Sequence, residues 1–198
     1  MKIILASASP RRQELLKNLF DNFDIRTSSC EETAVLETPS QYVMDLARQK
    51  ADDVATQYIE ESAGSSAKET LVIGADTIVY SDGHVLGKPS GPAGAQAMLQ
   101  SLSGKDHHVY TGVSLVHIKD GKKRIHNFFE CTRVSVSPLS DAEILAYIDT
   151  SDPFDKAGSY GIQGYFSRHI RGIEGDYFNV VGLPVNKLYE QLKQLRLL

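Results

Sequence analysis

Short apolar runs alternate along this chain with stretches that carry apolar residues at helical spacing, the pattern of an α/β protein. Residues 2–6, Lys2-Ile3-Ile4-Leu5-Ala6, read as a first strand. Ser9-Pro10 opens a helix, with Ser as N-cap and Pro at the first helical position, and Leu15, Leu16 and Leu19 give it an apolar face. Phe23 to Ser28 alternates and predicts a second strand. Thr38-Pro39-Ser40-Gln41 is a capping box that starts a long helix, in which Val43, Leu46, Ala47, Val54 and Tyr58 share one stripe. Lys50 falls inside that stripe, four residues from Leu46 and four from Val54. A lysine there either has a partner or snorkels to water at the stripe's edge, because burying an unpaired charge is costly.

Residues 60–69 are polar and predict a surface loop. Leu71-Val72-Ile73-Gly74-Ala75-Asp76-Thr77 reads as a buried strand that ends in a carboxylate. Asp82-Gly83 marks a hairpin turn, Gly87-Lys88-Pro89 follows, and Pro92 opens a short helix ending near Ser103-Gly104. Two long strands, about 107–118 and 124–136, are joined by Lys119-Asp120-Gly121-Lys122. His107 and His108 alternate faces on the first of these, so they cannot share one metal. Ser140-Asp141-Ala142-Glu143 is another capping box, heading a helix with Ile144, Leu145 and Ile148 on its apolar face. The stretch from Asp152 to Gly164 holds too many glycines for a helix interior and reads as a loop, where glycine lets backbone approach a ligand closely. A last strand and a helix over about 184–195 complete the pattern. No repeat and no clear linker divides residues 1–198, which read as a single domain.

Bulk composition narrows the function classes. The 198 residues are 41% hydrophobic and 23% charged, ordinary for a globular protein with a real core. A net charge of −4 argues against a general nucleic-acid binder, whose footprint is basic. It leaves room for a small anionic substrate, because screening over about 8 Å lets the local field of a site decide. Cys30 and Cys131 form neither a CxxC nor a zinc spacing and read as reduced structural thiols. No apolar run approaches the roughly 18 residues of a membrane span, and the start of the chain is too short for a signal peptide, so the expectation is a cytoplasmic protein.

The candidate chemistry is a set of cations facing a set of acids. Arg11-Arg12 stand in the first turn of the first helix, where the helix dipole favours acids; an arginine pair there makes sense if an anion binds. Lys50 and Lys88 add two more cations. Glu31-Glu32 follow one strand and Asp76 ends another, and carboxylates from two strand ends can share a magnesium ion together with substrate phosphates.

These residues also form an ordered series. Ser7-Ala8-Ser9-Pro10-Arg11-Arg12, Glu31-Glu32, Ala47-Arg48-Gln49-Lys50-Ala51, Gly74-Ala75-Asp76-Thr77, Gly87-Lys88-Pro89, Thr111-Gly112-Val113, Asp155-Lys156-Ala157-Gly158 and Gly182-Leu183-Pro184 together resemble the Maf proteins, nucleoside triphosphate pyrophosphatases once described as septum-formation inhibitors. The resemblance implies a mixed α/β fold, elongated and in two lobes around a central cleft, related to the inosine triphosphatases. It implies a divalent metal, Mg2+ or Mn2+, held by Glu32 and Asp76, and a homodimer. Arg11, Thr77 and Gln163 match the branch that acts on dTTP and UTP. Glu31 stands where many relatives carry Asp, which retains an acid.

The expectation that results is hydrolysis of a pyrimidine triphosphate, dTTP or UTP and by extension CTP or modified pyrimidines, to the monophosphate and pyrophosphate. Asp76, Glu32, Lys50 and Lys88 are the catalytic candidates. Ser7, Ser9, Arg11, Arg12, Thr77, Lys156 and Gln163 are the substrate and specificity candidates. Gln163 suits a pyrimidine edge because an amide both donates and accepts. The alternative is a division regulator that binds triphosphates without turnover; a pure binder needs the cations but not the acid pair.

Overall fold

The computed structural model describes residues 1–31, 33–34, 38–62 and 69–198. Among these the element order is β1 (Lys2–Ala6), α1 (Pro10–Leu16), β2 (Asp24–Arg26), α2 (Pro39–Glu61), β3 (Thr70–Ser81), β4 (His84–Leu86), α3 (Gly91–Leu102), β5 (Asp106–Lys119), β6 (Lys122–Val136), α4 (Asp141–Ile148), β7 (Ile170–Glu174), α5 (Tyr177–Val181) and α6 (Val185–Gln194), with 3-10 turns at Asp152–Asp155, Ala157–Ser159 and Gly164–His169. The sheet runs β2-β1-β3-β5-β6-β7, and β4 pairs with β3. β1 lies parallel to β2 and β3, whereas β4 on β3 and β7 on β6 are antiparallel, so the sheet is mixed as expected. Asp82 and Gly83 both take positive φ (49° and 82°), the left-handed pair that a two-residue hairpin turn needs, and Asp120-Gly121 does the same (51° and 71°).

The chain forms two compact units. One contains Met1–Asp76, Thr111–Glu130 and Gly182–Leu198; the other contains Thr77–Tyr110 and Cys131–Val181. β3, β5 and β6 continue from one unit into the other, so the division falls inside strands and not at a linker. In the first unit, Ala51, Val54, Ala55 and Tyr58 of α2 pack on Ile4, Val72, Val116 and Ile118 of the sheet. The predicted stripe is therefore the buried face of α2. In the second, Ala95, Leu99 and Leu102 of α3 pack with Ile144, Tyr147 and Ile148 of α4, joined by Tyr160 and Phe166.

Glycine at two positions sets how closely α2 meets the sheet. A Cβ on Gly74 would lie 2.5 Å from the Ala47 carbonyl oxygen and 2.8 Å from the Ala51 Cβ, and one on Gly112 would lie 2.3 Å from the Val43 carbonyl oxygen. Both are inside van der Waals contact, so the helix backbone rests on two strands where no side chain intervenes.

Several expectations need correction. Asp76 does not end a strand. Thr77-Ile78-Val79-Tyr80-Ser81 is as β-branched and aromatic as the run before it, and β3 continues to Ser81. The second strand is only Asp24–Arg26. In α4 the buried face uses Tyr147, while Leu145 is 49% exposed. Two expectations, Glu32 and most of the 60–69 loop, lie outside the described residues. His107 is buried and His108 exposed, as alternation requires, and both cysteines are free thiols. Among the described residues no helix is long and apolar enough to cross a membrane.

Candidate active site

Asp76 owes its position to the neighbour of β3. β1 ends in register with Gly74, at Ala6, so β3 runs past the carboxyl end of a parallel strand and Asp76 lies two residues beyond it. That is where ligands gather in open α/β sheets, so the strand end that matters belongs to β1. Gly74 and Asp76 share one face of the strand by the two-residue period. α2 sits on that face at Gly74, with Ala47 and Ala51 in contact, and Lys50 beside them reaches Asp76. The Lys50 ammonium donates to Asp76 Oδ1 at 2.6 Å, with the two side chains only 17% and 15% exposed. The lysine in the apolar stripe has a partner and does not merely snorkel. Removing one partner of a well-buried pair costs about 3–5 kcal/mol, because the other charge is left uncompensated.

The segment after β1 organises Arg12. Ser9 caps α1 by accepting the Arg12 backbone N–H at 3.5 Å. The Arg12 side chain donates from Nε to the Gly182 carbonyl at 2.9 Å and from Nη1 to the Ser7 hydroxyl at 3.2 Å. Ser7, 8% exposed, also accepts the Ser9 N–H at 3.3 Å. The guanidinium is thus steered both by an oxygen of its own segment and by one 170 residues further along the chain. Arg11 is half-buried in the same turn.

Sequence reasoning overlooked Gln49 and Asp53. The Gln49 amide accepts the Thr33 N–H at 3.0 Å and donates to the Thr33 carbonyl at 2.6 Å. Asp53 Oδ2 accepts the Ser28 hydroxyl and the Ser29 N–H, both at 2.8 Å, and the Gln57 amide at 3.0 Å. Burial raises the Asp53 carboxyl, and these donors outweigh it, holding the group below the ordinary carboxylate range. Gln49, Asp53 and Gln57 stand four residues apart on one side of α2, a polar row beside the apolar stripe; that spacing was the available signal. They tie down the backbone on both sides of the acidic pair Glu31-Glu32.

The second unit carries the remaining candidates. Thr77 follows Asp76 on β3. Lys88 is exposed and makes no hydrogen bond among the described residues; the neighbouring Gly87 carbonyl accepts the Gly158 N–H at 3.0 Å. Gln163 is exposed in extended backbone (φ −97°, ψ 161°), following the buried Ile162. Lys156 is different: its side chain is 12% exposed, and its ammonium donates to the Asp152 carbonyl at 2.6 Å, Asp152 Oδ1 at 2.9 Å and Asp155 Oδ1 at 2.7 Å.

As a metal ligand, Asp76 fits: it is a hard oxygen donor whose Oδ1 is held by Lys50 and whose Oδ2 makes no hydrogen bond among the described residues. Among those residues no three His, Cys, Asp or Glu side chains gather in one place. Magnesium does not need three, since it commonly takes one or two carboxylates and completes its shell with water and substrate phosphates.

The profile of the family described as Maf-like protein matches residues 2–195. A dTTP/UTP pyrophosphatase of Agathobacter rectalis is 51% identical over 98% of this chain and 97% of its own. Proteins of the same name from Carboxydothermus hydrogenoformans and Bacillus cereus are each 47% identical, over 98% and 99% of this chain and 98% and 96% of their own. A match that covers nearly the whole of both partners, over a mixed sheet with these motifs in place, shows that this chain belongs to the Maf family.

Proposed function

We propose that this chain is a nucleoside triphosphate pyrophosphatase that hydrolyses dTTP and UTP, with CTP and modified pyrimidine triphosphates as further substrates, to the monophosphate and pyrophosphate. The relatives' shared name supports the reaction class. The observation that carries the reading is the Lys50–Asp76 pair: a carboxylate fixed in place beyond the end of a parallel strand, held at one oxygen and making no hydrogen bond at the other among the described residues.

The water oxygen attacks the α-phosphorus, the bond from that phosphorus to the α–β bridging oxygen breaks, and pyrophosphate leaves. Asp76 is the carboxylate placed to take the water's proton. A magnesium or manganese ion bound by Asp76 and Glu32 would polarise the phosphate and acidify the water. Arg11, Arg12 and Lys88 bind the polyphosphate. Arginine offers a planar fork and lysine a point charge, and both neutralise charge that spreads over the leaving pyrophosphate. Ser7 and Ser9 set the Arg12 turn. Gln163 reads the pyrimidine by donating to a carbonyl oxygen and accepting from a ring N–H, with Thr77 contributing to the choice of base. The proposal extends to a homodimer acting on the cytoplasmic nucleotide pool.

The test is hydrolysis of UTP in 18O-labelled water. The expected result is label in the monophosphate and unlabelled pyrophosphate. Label in inorganic phosphate, or stepwise release of single phosphates, would overturn the assignment. Binding of triphosphates with no turnover at saturating Mg2+ or Mn2+ would favour the regulator instead.

A further inference from the structure

Lys156 is a substrate candidate from its place in Asp155-Lys156-Ala157-Gly158, and as a cation it would suit a phosphate, yet an ammonium has three donors and all three are taken by oxygens of its own loop. What those bonds hold leads to Gln163. Asp152 Oδ2 accepts the Tyr147 hydroxyl at 2.6 Å, and that hydroxyl accepts the Gly161 N–H at 3.1 Å. The Lys156 stem lies directly against Gly161, where a Cβ would come within 2.8 Å of the Lys156 Cε. Gly161 is therefore fixed from one side by a hydrogen bond and from the other by packing. Tyr147 is fully buried, with its ring 4.9 Å from that of Phe166, so the anchor does not drift. From Gly161 the chain passes through buried Ile162 straight to exposed Gln163.

We infer that Lys156 and Tyr147 are positioning residues for base recognition: they fix the Gly161–Gln163 segment through Asp152, and Lys156 does not bind the triphosphate. This rests on the reading that Gln163 meets the base. Two positions that contact no phosphate in this reading then set the choice between bases. A looser segment lets the Gln163 amide lose its alignment with the pyrimidine edge while leaving the phosphate contacts as they were.

The experiment compares Lys156→Met, which keeps the stem and removes the charge, with Tyr147→Phe and Gln163→Ala on a panel of UTP, dTTP, ATP and GTP, together with inhibition by inorganic pyrophosphate. In Lys156→Met and Tyr147→Phe, the ratio of kcat/KM for pyrimidine over purine triphosphates should fall by about 10-fold or more, while the pyrophosphate inhibition constant changes less than about twofold. Added to Gln163→Ala, either change should cost little more, because both act through the same side chain. A uniform loss across all four triphosphates with weakened pyrophosphate inhibition would make Lys156 a phosphate ligand and overturn the inference. So would an unchanged ratio in Tyr147→Phe while Gln163→Ala lowers it, and this arm stands even if Lys156→Met does not fold. If Gln163→Ala itself leaves the ratio unchanged, the reading of Gln163 fails, and the inference with it.

Discussion

Gly74→Ala tests the link between packing and chemistry without touching any group assigned to the reaction. The new Cβ would lie 2.5 Å from the Ala47 carbonyl oxygen and 2.8 Å from the Ala51 Cβ. A relaxed C···O approach is about 3.3 Å and a relaxed C···C approach about 3.5–4.0 Å, so α2 and β3 must separate by roughly 1 Å. Overpacking of this kind costs about 1–3 kcal/mol, which for a chain of this size lowers Tm by roughly 2–12 °C. The chemical effect should be the larger one. Lys50 and Asp76 sit on the two elements being pushed apart, and their contact is 2.6 Å. Adding about 1 Å takes it beyond hydrogen-bond range, and a 1 Å misplacement in an active site costs on the order of 100-fold in rate. The assay pairs a thermal melt with kcat on UTP at saturating metal. Gly172→Ala serves as the control, since a Cβ there meets nothing within 4 Å, and it should leave both readings near wild type. A Gly74→Ala protein with kcat within about twofold of wild type and an unmoved Tm would refute the claim that the helix–strand approach sets the Lys50–Asp76 geometry.

Other outcomes follow from the same geometry. Asp76→Asn should fold and lose turnover by at least ~1,000-fold, since the amide cannot take a proton; single-turnover kinetics checks it. Lys50→Met should lower kcat by about 100-fold and Tm together, because it misplaces Asp76 and strands a mostly buried carboxylate; a normal kcat would reduce the pair to a structural contact. Asp53 is held below its ordinary 3.8, so its stabilisation is present above that value and is lost as pH falls through the depressed one. The stability gap between wild type and Asp53→Asn, measured by urea melts, should therefore be open at pH 7 and close below pH 3.8. Burial lowers His107 from 6.5 to about 4, assisted by His108 and opposed by Asp106, so the folded state takes up its proton later than the unfolded chain. Wild-type stability should fall as pH drops from 6.5 toward 4, and His107→Gln should flatten that slope.

What was legible in the sequence was whatever depends on neighbours in the chain. The stripe on α2, the capping box at Ser140 and the Asp82-Gly83 turn all rest on local spacing and appear as read, whereas at Thr38 the hydroxyl caps the Gln41 N–H but the reciprocal Gln41 bond of a capping box is replaced by one from the Thr38 hydroxyl to the Gln41 side chain. Lys50 stood out because its position broke a local rule, which left a partner or snorkelling as the alternatives. Its partner was not readable, since the meeting with Asp76 depends on α2 resting against Gly74, a long-range fact. The extent of β3 was misjudged because Asp76 is polar and was taken as a boundary, although the strand's hydrogen bonds do not depend on that side chain. Lys156 shows the converse. Asp152 and Lys156 stand four residues apart, a spacing that allows a local pair, but the Tyr147 hydroxyl that links this pair to Gly161 comes from a different helix.

The hydrogen bond from Arg12 to the Gly182 carbonyl has a bearing on the order in which the first unit can close during synthesis. The first unit is assembled from three separate stretches, and the last, Gly182–Leu198, leaves the ribosome long after α1. Until it arrives, the arginine beside Ser7 lacks the Gly182 acceptor, and the core of that unit lacks Leu188 and Leu192, both fully buried. A nascent chain that already carries Asp76, Lys50 and Arg12 therefore still lacks part of the core of their unit and one of the contacts that hold Arg12, so that unit closes only once α6 has been made.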